Sequence, residues 1–258
     1  MNADKRHRGR RGGGPARAHE RGRADGRYWL FGRHAVTAAC ANPVRTIHRL
    51  LAVDPAPWRQ TMPDVVTASR EEIADLLQPG VVHQGIAALV DPLPALALEE
   101  VCQPQPGAGN LLIALDQIED AQNVGAILRS AAAFGVRAIL MPERHSPAES
   151  GLMARAAVGM LEQVPLVRVV NLVRALEQLA ELGYWRYGLD AESPSALHRT
   201  DWADNVVLVV GAEGRGLRRL TAEACDGLLS IAMAPGVESL NVSVATAIAL
   251  HEIYRLKH

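Results

Sequence analysis

Aromatic residues are scarce in this chain of 258 residues, at 4% of the total. Its core must therefore rest on Leu, Val, Ile and Ala, and a surface that grips single-stranded nucleic acid purely by base stacking is poorly supplied. Cysteine is scarcer still. Cys40, Cys102 and Cys225 are scattered and form no C-x-x-C pair, which argues against a disulfide framework and fits small core thiols in a reducing cytoplasmic compartment. No apolar run approaches the roughly 18 residues of a membrane span. The nine His show no H-E-x-x-H or comparable spacing, so neither a membrane nor a metal site is expected. An early G-x-G-x-x-G, the dinucleotide fingerprint, is also missing, which speaks against a nicotinamide oxidoreductase.

Apolar residues make up 48% of the chain, enough for a sizeable core, and the net charge is −1. That charge is unevenly placed. Residues 1–27 are Gly/Arg-rich and carry nine Lys/Arg against three acids, a net +6 that leaves −7 on the rest. Such a segment reads as a disordered basic tail suited to a polyanion. Residues 28–90 read as a small α/β domain, with helices at 34–42 and 71–77 and strands at 49–53 and 86–90. Residues 91–110, with four prolines, Glu99-Glu100 and Gly107-Ala108-Gly109, read as a linker.

From residue 111 the pattern becomes strand, loop, helix, repeated. Strands are predicted at 111–115, 136–141, 164–170, 184–189, 206–210 and 228–233. Helices are predicted at 124–134, 149–161, 172–182, 217–225 and 241–256. Short apolar strands alternating with helices specify a parallel sheet covered on both faces. The last helix has so few polar positions that it is expected to be buried on more than one side, for example at a subunit interface.

Three segments follow predicted strands, at the edge where open α/β sheets bind ligands. The first runs from Asp116 through Gln117-Ile118-Glu119-Asp120-Ala121-Gln122 to Asn123, with Arg129 six residues later. Asn123 is a candidate N-cap. Arg129 lies among Ala126, Ile127, Leu128 and Ala131 to Ala133, where a guanidinium needs a partner, either Asp116 or Glu119 or a bound phosphate or ribose. The second is Gly211-Ala212-Glu213-Gly214-Arg215-Gly216, where glycine lets backbone approach a ligand. The third, Glu238-Ser239-Leu240-Asn241-Val242-Ser243, sets short polar side chains at the mouth of the apolar last helix.

The ordered set of three resembles the SpoU/TrmH family of RNA ribose 2′-O-methyltransferases, in the SPOUT superfamily, over residues 28–258. It is most similar to the branch that methylates a guanosine in the peptidyl-transferase loop of large-subunit rRNA. Gly32-Arg33-His34 and His83-Gln84-Gly85 also resemble that branch's substrate-binding domain. The resemblance implies a parallel-sheet methyltransferase domain at 111–258 with a C-terminal trefoil knot, preceded by the small α/β RNA-binding domain. It implies S-adenosylmethionine held by Gly211, Ile231 and Leu240, and a homodimer joined through the knotted domain. It implies that Asn123, Arg129, Glu213, Ser239 and Asn241 form the active site. One departure is Ala121, where the family pattern Asp-Pro-x-Asn has proline; the turn is less pre-set but no reactive group is lost. A tRNA guanosine methyltransferase and a non-enzymatic RNA-binding protein on the same scaffold are the alternatives.

Overall fold

A computed structural model describes residues 26–107 and 109–257. The basic tail expected over 1–27 therefore lies almost wholly outside the described residues.

The elements follow in chain order. They are β1 (Tyr28–Phe31), α1 (Arg33–Ala41), β2 (Ile47–Ala52), β3 (Val66–Thr67), α2 (Arg70–Asp75), β4 (Ile86–Val90), α3 (Leu98–Val101), β5 (Asn110–Asp116), α4 (Ala121–Ala133), β6 (Ala138–Pro142), α5 (Gly151–Ala157), β7 (Leu166–Val169), α6 (Leu172–Glu181), β8 (Trp185–Leu189), β9 (Asn205–Gly211), α7 (Arg219–Glu223), β10 (Gly227–Leu229) and α8 (Val242–Lys257). They form two sheets. The first has the order β1-β4-β2-β3, and the second β10-β8-β9-β5-β6-β7. Every pairing in the second sheet is parallel, as its alternating pattern predicts. In the first, β4 runs antiparallel to both β1 and β2.

Strand alternation divides the large sheet's core in two. Leu111, Ile113 and Leu115 of β5, Ile139 and Met141 of β6, and Val206, Leu208 and Val210 of β9 face α4, α5 and α8. Leu112, Ala114, Leu140, Val207 and Val209 face the opposite way, toward α6. The first of these cores continues into the small sheet through Leu30, Val36, Leu50 and Val90.

Several boundaries differ from those expected. The proline-rich segment 91–110 contains the one-turn α3, and its Leu98 and Cys102 are buried in the second core. The helix expected over 149–161 is only seven residues long. It stops because Val158 and Gly159 take left-handed backbone conformations, with φ of 53° and 90°. The strand expected over 228–233 is three residues long, so Ile231 lies in the loop that follows. The helix expected over 217–225 is reduced to α7.

A buried cation joins the two sheets. The Arg45 side chain has no solvent exposure. It donates to Glu162 from Nε and Nη2, and to Glu149 Oε2 at 3.2 Å and the Asp91 carbonyl at 2.7 Å from Nη1. The Tyr28 hydroxyl donates to Glu149 as well, and burial beside that carboxylate holds the phenol protonated far above its usual range. A buried guanidinium satisfied in this way fixes geometry at the seam.

Candidate active site

In register, Asp116 at the end of β5 pairs with Gly211 at the end of β9. The first two motifs therefore leave the sheet side by side at its carboxyl edge, with β8 adjacent. After Gly211 the chain turns sharply. Gly216 N–H donates to the Ala212 carbonyl at 2.9 Å, and Gly214 and Gly216 adopt φ of 76° and 65°. The turn folds back so closely that a Cβ at residue 211 would collide with the backbone of Gly216 and Leu217. Glycine is required there by geometry. Asp116, 1% exposed, pins the far end of the turn by accepting from Arg218 N at 2.9 Å and Arg218 Nε at 2.7 Å.

A cavity of about 450 Å³ opens beside this turn, lined by Gly211, Glu213, Ile231, Ser239 and Leu240. All three residues expected to hold a cofactor are present. Its walls add Leu189, Leu229 and Met233, with Asp190 and Glu192 just past the end of β8. The sequence reading missed those two carboxylates. Their signal was their place after a strand ending at the same carboxyl edge. The volume suits a nucleoside-sized ligand. An apolar wall, backbone from Gly211 and several carboxylates suit a flat apolar ring, ribose hydroxyls and a cationic group.

At the mouth of α8 the three motifs meet in one side chain. Asn241 Nδ2 donates to Asn123 Oδ1 at 3.1 Å and lies 3.4 Å from Glu213 Oε2. Its Oδ1 accepts from Ser243 N at 2.9 Å and Ser243 Oγ at 2.6 Å. Asn241 thus caps α8, as expected of the residue type. Asn123 does not cap α4. Asp120 does, accepting from Gln122 N at 2.8 Å. Asn123 sits in the helix's first turn, which leaves its amide free to meet Asn241.

Arg129 departs from expectation. It is exposed rather than enclosed by its apolar neighbours. It makes no hydrogen bond or ion pair with any other described residue. Both carboxylates considered for it are engaged elsewhere, Asp116 by Arg218 and Glu119 beside His145 at 3.6 Å. Arg129 lines a second, shallow cavity along α4 and α8 and shares it with Ser243. It thus lies next to the Asn241 network and outside the 450 Å³ cavity.

Among the described residues no cluster of His, Cys, Asp and Glu is arranged to hold a metal ion. Burial pushes the Cys225 thiol up to about 12 and those of Cys40 and Cys102 to about 11, so all three are neutral at physiological pH. No helix among the described residues is long and apolar enough to cross a membrane.

Comparison with known proteins gives matches over both sheets. Residues 110–251 match the SpoU rRNA methylase family, and residues 29–96 match a domain described as RNA 2′-O ribose methyltransferase substrate binding. A 23S rRNA (guanosine-2′-O-)-methyltransferase, RlmB, of Xanthomonas campestris is 36% identical over 88% of this chain and 96% of its own length. An uncharacterised tRNA/rRNA methyltransferase of Synechocystis is 43% identical over 67% of this chain but only 46% of its own, longer sequence. Among solved structures, the SpoU methyltransferase AviRb of Streptomyces viridochromogenes, in complex with AdoMet, superposes with a TM-score of 0.77. It is 22% identical, and the match covers 92% of this chain and 93% of that one.

Proposed function

The chain belongs to the SpoU rRNA methylase family, and from that premise we propose that it methylates the ribose 2′-hydroxyl of a guanosine in the peptidyl-transferase loop of large-subunit rRNA, using S-adenosylmethionine. The observation that carries this reading is the meeting of Asn123, Glu213 and Asn241 beside the cavity that Gly211, Ile231 and Leu240 wall. The cavity fits the cofactor. The tight turn at Gly211 offers backbone where any side chain would intrude, and Asp190, Glu192 and Glu213 are acceptors for ribose hydroxyls and an ammonium group. When bound, S-adenosylmethionine supplies an electrophilic methyl group.

The residues of the chain do the rest. Arg129 holds a substrate phosphate and offsets negative charge growing on the 2′-oxygen. A phosphate oxygen takes the hydroxyl proton. Asn123 and Glu213, tied together through Asn241, orient the ribose. Ser239 shapes the cofactor edge.

Further features belong to the same reading. Residues 28–90 bind RNA, 91–110 connect, and 111–258 catalyse. The passage from edge strand β10 back to α8 in mid-sheet, beside the Gly211 turn, supports a trefoil knot. Val244, Ile248 and Tyr254 of α8 are exposed, at 47%, 40% and 43%, while Ala249, Leu250 and Ile253 of the same helix are buried. The uncovered face of α8 supports pairing as a homodimer. The enzyme acts in the cytoplasm, and the basic tail is an accessory RNA-binding arm.

The test is transfer of tritiated methyl groups to separate pools of unmodified large-subunit rRNA, small-subunit rRNA and tRNA, with mapping of the product. Label as a 2′-O-methyl on one large-subunit guanosine is the expected result. Label in tRNA alone overturns the substrate, and no label in any pool overturns the reaction. Arg129→Ala is expected to abolish transfer while cofactor affinity by calorimetry stays nearly unchanged. Lost cofactor binding would rule out a role for Arg129 confined to the substrate.

A further inference from the structure

The seam between the two sheets carries guanidinium groups that the fold does not use. Arg33 N–H donates to Gln84 Oε1 at 2.8 Å. A Cβ on Gly32 would stand 3.6 Å from that oxygen and 3.7 Å from Arg155 Cγ on α5. The Gly32-Arg33 corner of the small domain, the Gln84 loop and a residue of the large domain therefore meet at one point. Two left-handed residues hold the corner, Gly32 with φ of 91° and Gln84 with φ of 57°. The second is uncommon for a residue with a side chain, and such conformations cluster where geometry matters.

Arg33 and Arg155 are both exposed, and neither guanidinium has a hydrogen-bond or ion-pair partner among the described residues. The seam's carboxylates Glu149 and Glu162 are both engaged by Arg45. The two free cations also point the way to a third. Met153 and Ala156 of α5 press against Gly125 of α4, and Arg129 lies about 6 Å further along that helix. Ala156, next to Arg155, lines the same shallow cavity as Arg129.

We propose that Arg33 and Arg155 are substrate-positioning residues. Together they form a phosphate-binding track across the seam that carries the RNA strand to the nucleotide at Arg129. This rests on the proposed reaction. The ligand is backbone phosphate, because exposed guanidinium groups bind its charge without reading sequence. Arg45 and the left-handed corners fix the seam, so the track keeps one spacing from the reacting ribose.

The experiment measures binding of an unmodified large-subunit rRNA transcript to the full-length protein over a range of salt, together with methyl-transfer kinetics. Arg33→Ala and Arg155→Ala are each expected to weaken RNA binding about five-fold. Each should lower the slope of log affinity against log salt by about 0.7 to 0.9, and the double variant by about twice that. KM for RNA rises and kcat at saturating RNA holds. Arg155→Lys keeps the slope. S-adenosylmethionine affinity and melting temperature do not change. Wild-type affinity and slope in both single variants overturn the track. So does a loss that comes with lowered melting temperature or cofactor affinity, since that would be a structural effect. A wild-type protein that binds RNA with the expected slopes but methylates nothing sinks the reaction and leaves the track standing.

Discussion

A single amide carries the site's connectivity. Asn241 spends its Nδ2 on Asn123 and Glu213 and its Oδ1 on Ser243, so its removal should have two separable effects. Asn241→Ala loses a helix cap, worth about 1 kcal/mol, and a small drop in melting temperature should report it. It also releases Asn123 and Glu213 from each other, and kcat is expected to fall about 100-fold, the usual consequence of reacting groups held about 1 Å out of place. Steady-state kinetics beside thermal melting separates the two. A normal kcat with only the stability loss would reduce Asn241 to a cap. The grouping of this residue and its partners in one site was implied by the family resemblance, while sequence pattern singled out the segments after β5, β9 and β10 that carry them. It gave Asn123 the wrong local role, since Asp and Asn are equally good caps and Asp120, three residues earlier, does the capping.

At the scale of elements, period-2 alternation was legible because buried parallel strands must send successive side chains into opposite cores. Val206 to Val210 obey this strictly. What the pattern concealed was where elements stop. Four prolines made 91–110 look like open linker, yet Leu98 and Cys102 are pulled into the second core between them. Val158, a β-branched residue in a left-handed conformation, ends α5 where periodicity alone would continue it. Gly159 was the local trace of that ending, whereas the burial of Leu98 and Cys102 is set by tertiary contact and leaves none. One contact of this kind has a measurable cost. A Cβ on residue 125 would lie 2.6 Å from Ala156 Cβ and intrude on the Met153 carbonyl, so Gly125→Ala forces α4 and α5 apart. It is expected to cost about 1–3 kcal/mol, read as a lower urea midpoint. An unchanged midpoint would mean that the helices separate freely.

The whole molecule is organised around one core shared by both sheets and one buried cation between them. Arg45→Met removes the cation and leaves Glu149 with Tyr28 and Leu93 N–H, and Glu162 with Asn42, as hydrogen-bond donors but without their shared guanidinium. The expected loss is about 3–5 kcal/mol, measured by urea unfolding. Arg45→Met combined with Glu162→Gln should recover part of it, because one stranded charge is gone. Equal losses in the single and double variants would show that packing, and not charge, governs the seam. This bolt was not readable from composition. Nothing in the sequence pairs Arg45 with carboxylates 104 and 117 residues away.

The Asn241 junction also has a consequence in time. Its partners lie 118 and 28 residues earlier in the chain. During synthesis, the large sheet's strands, the Gly211 turn and Arg129 all leave the ribosome before the residue that ties them together. A nascent chain can therefore have made every strand of the large sheet and still hold Asn123 and Glu213 apart. On the roles proposed for these side chains, competence arrives only with α8, and a chain that lacks it is expected not to methylate rRNA.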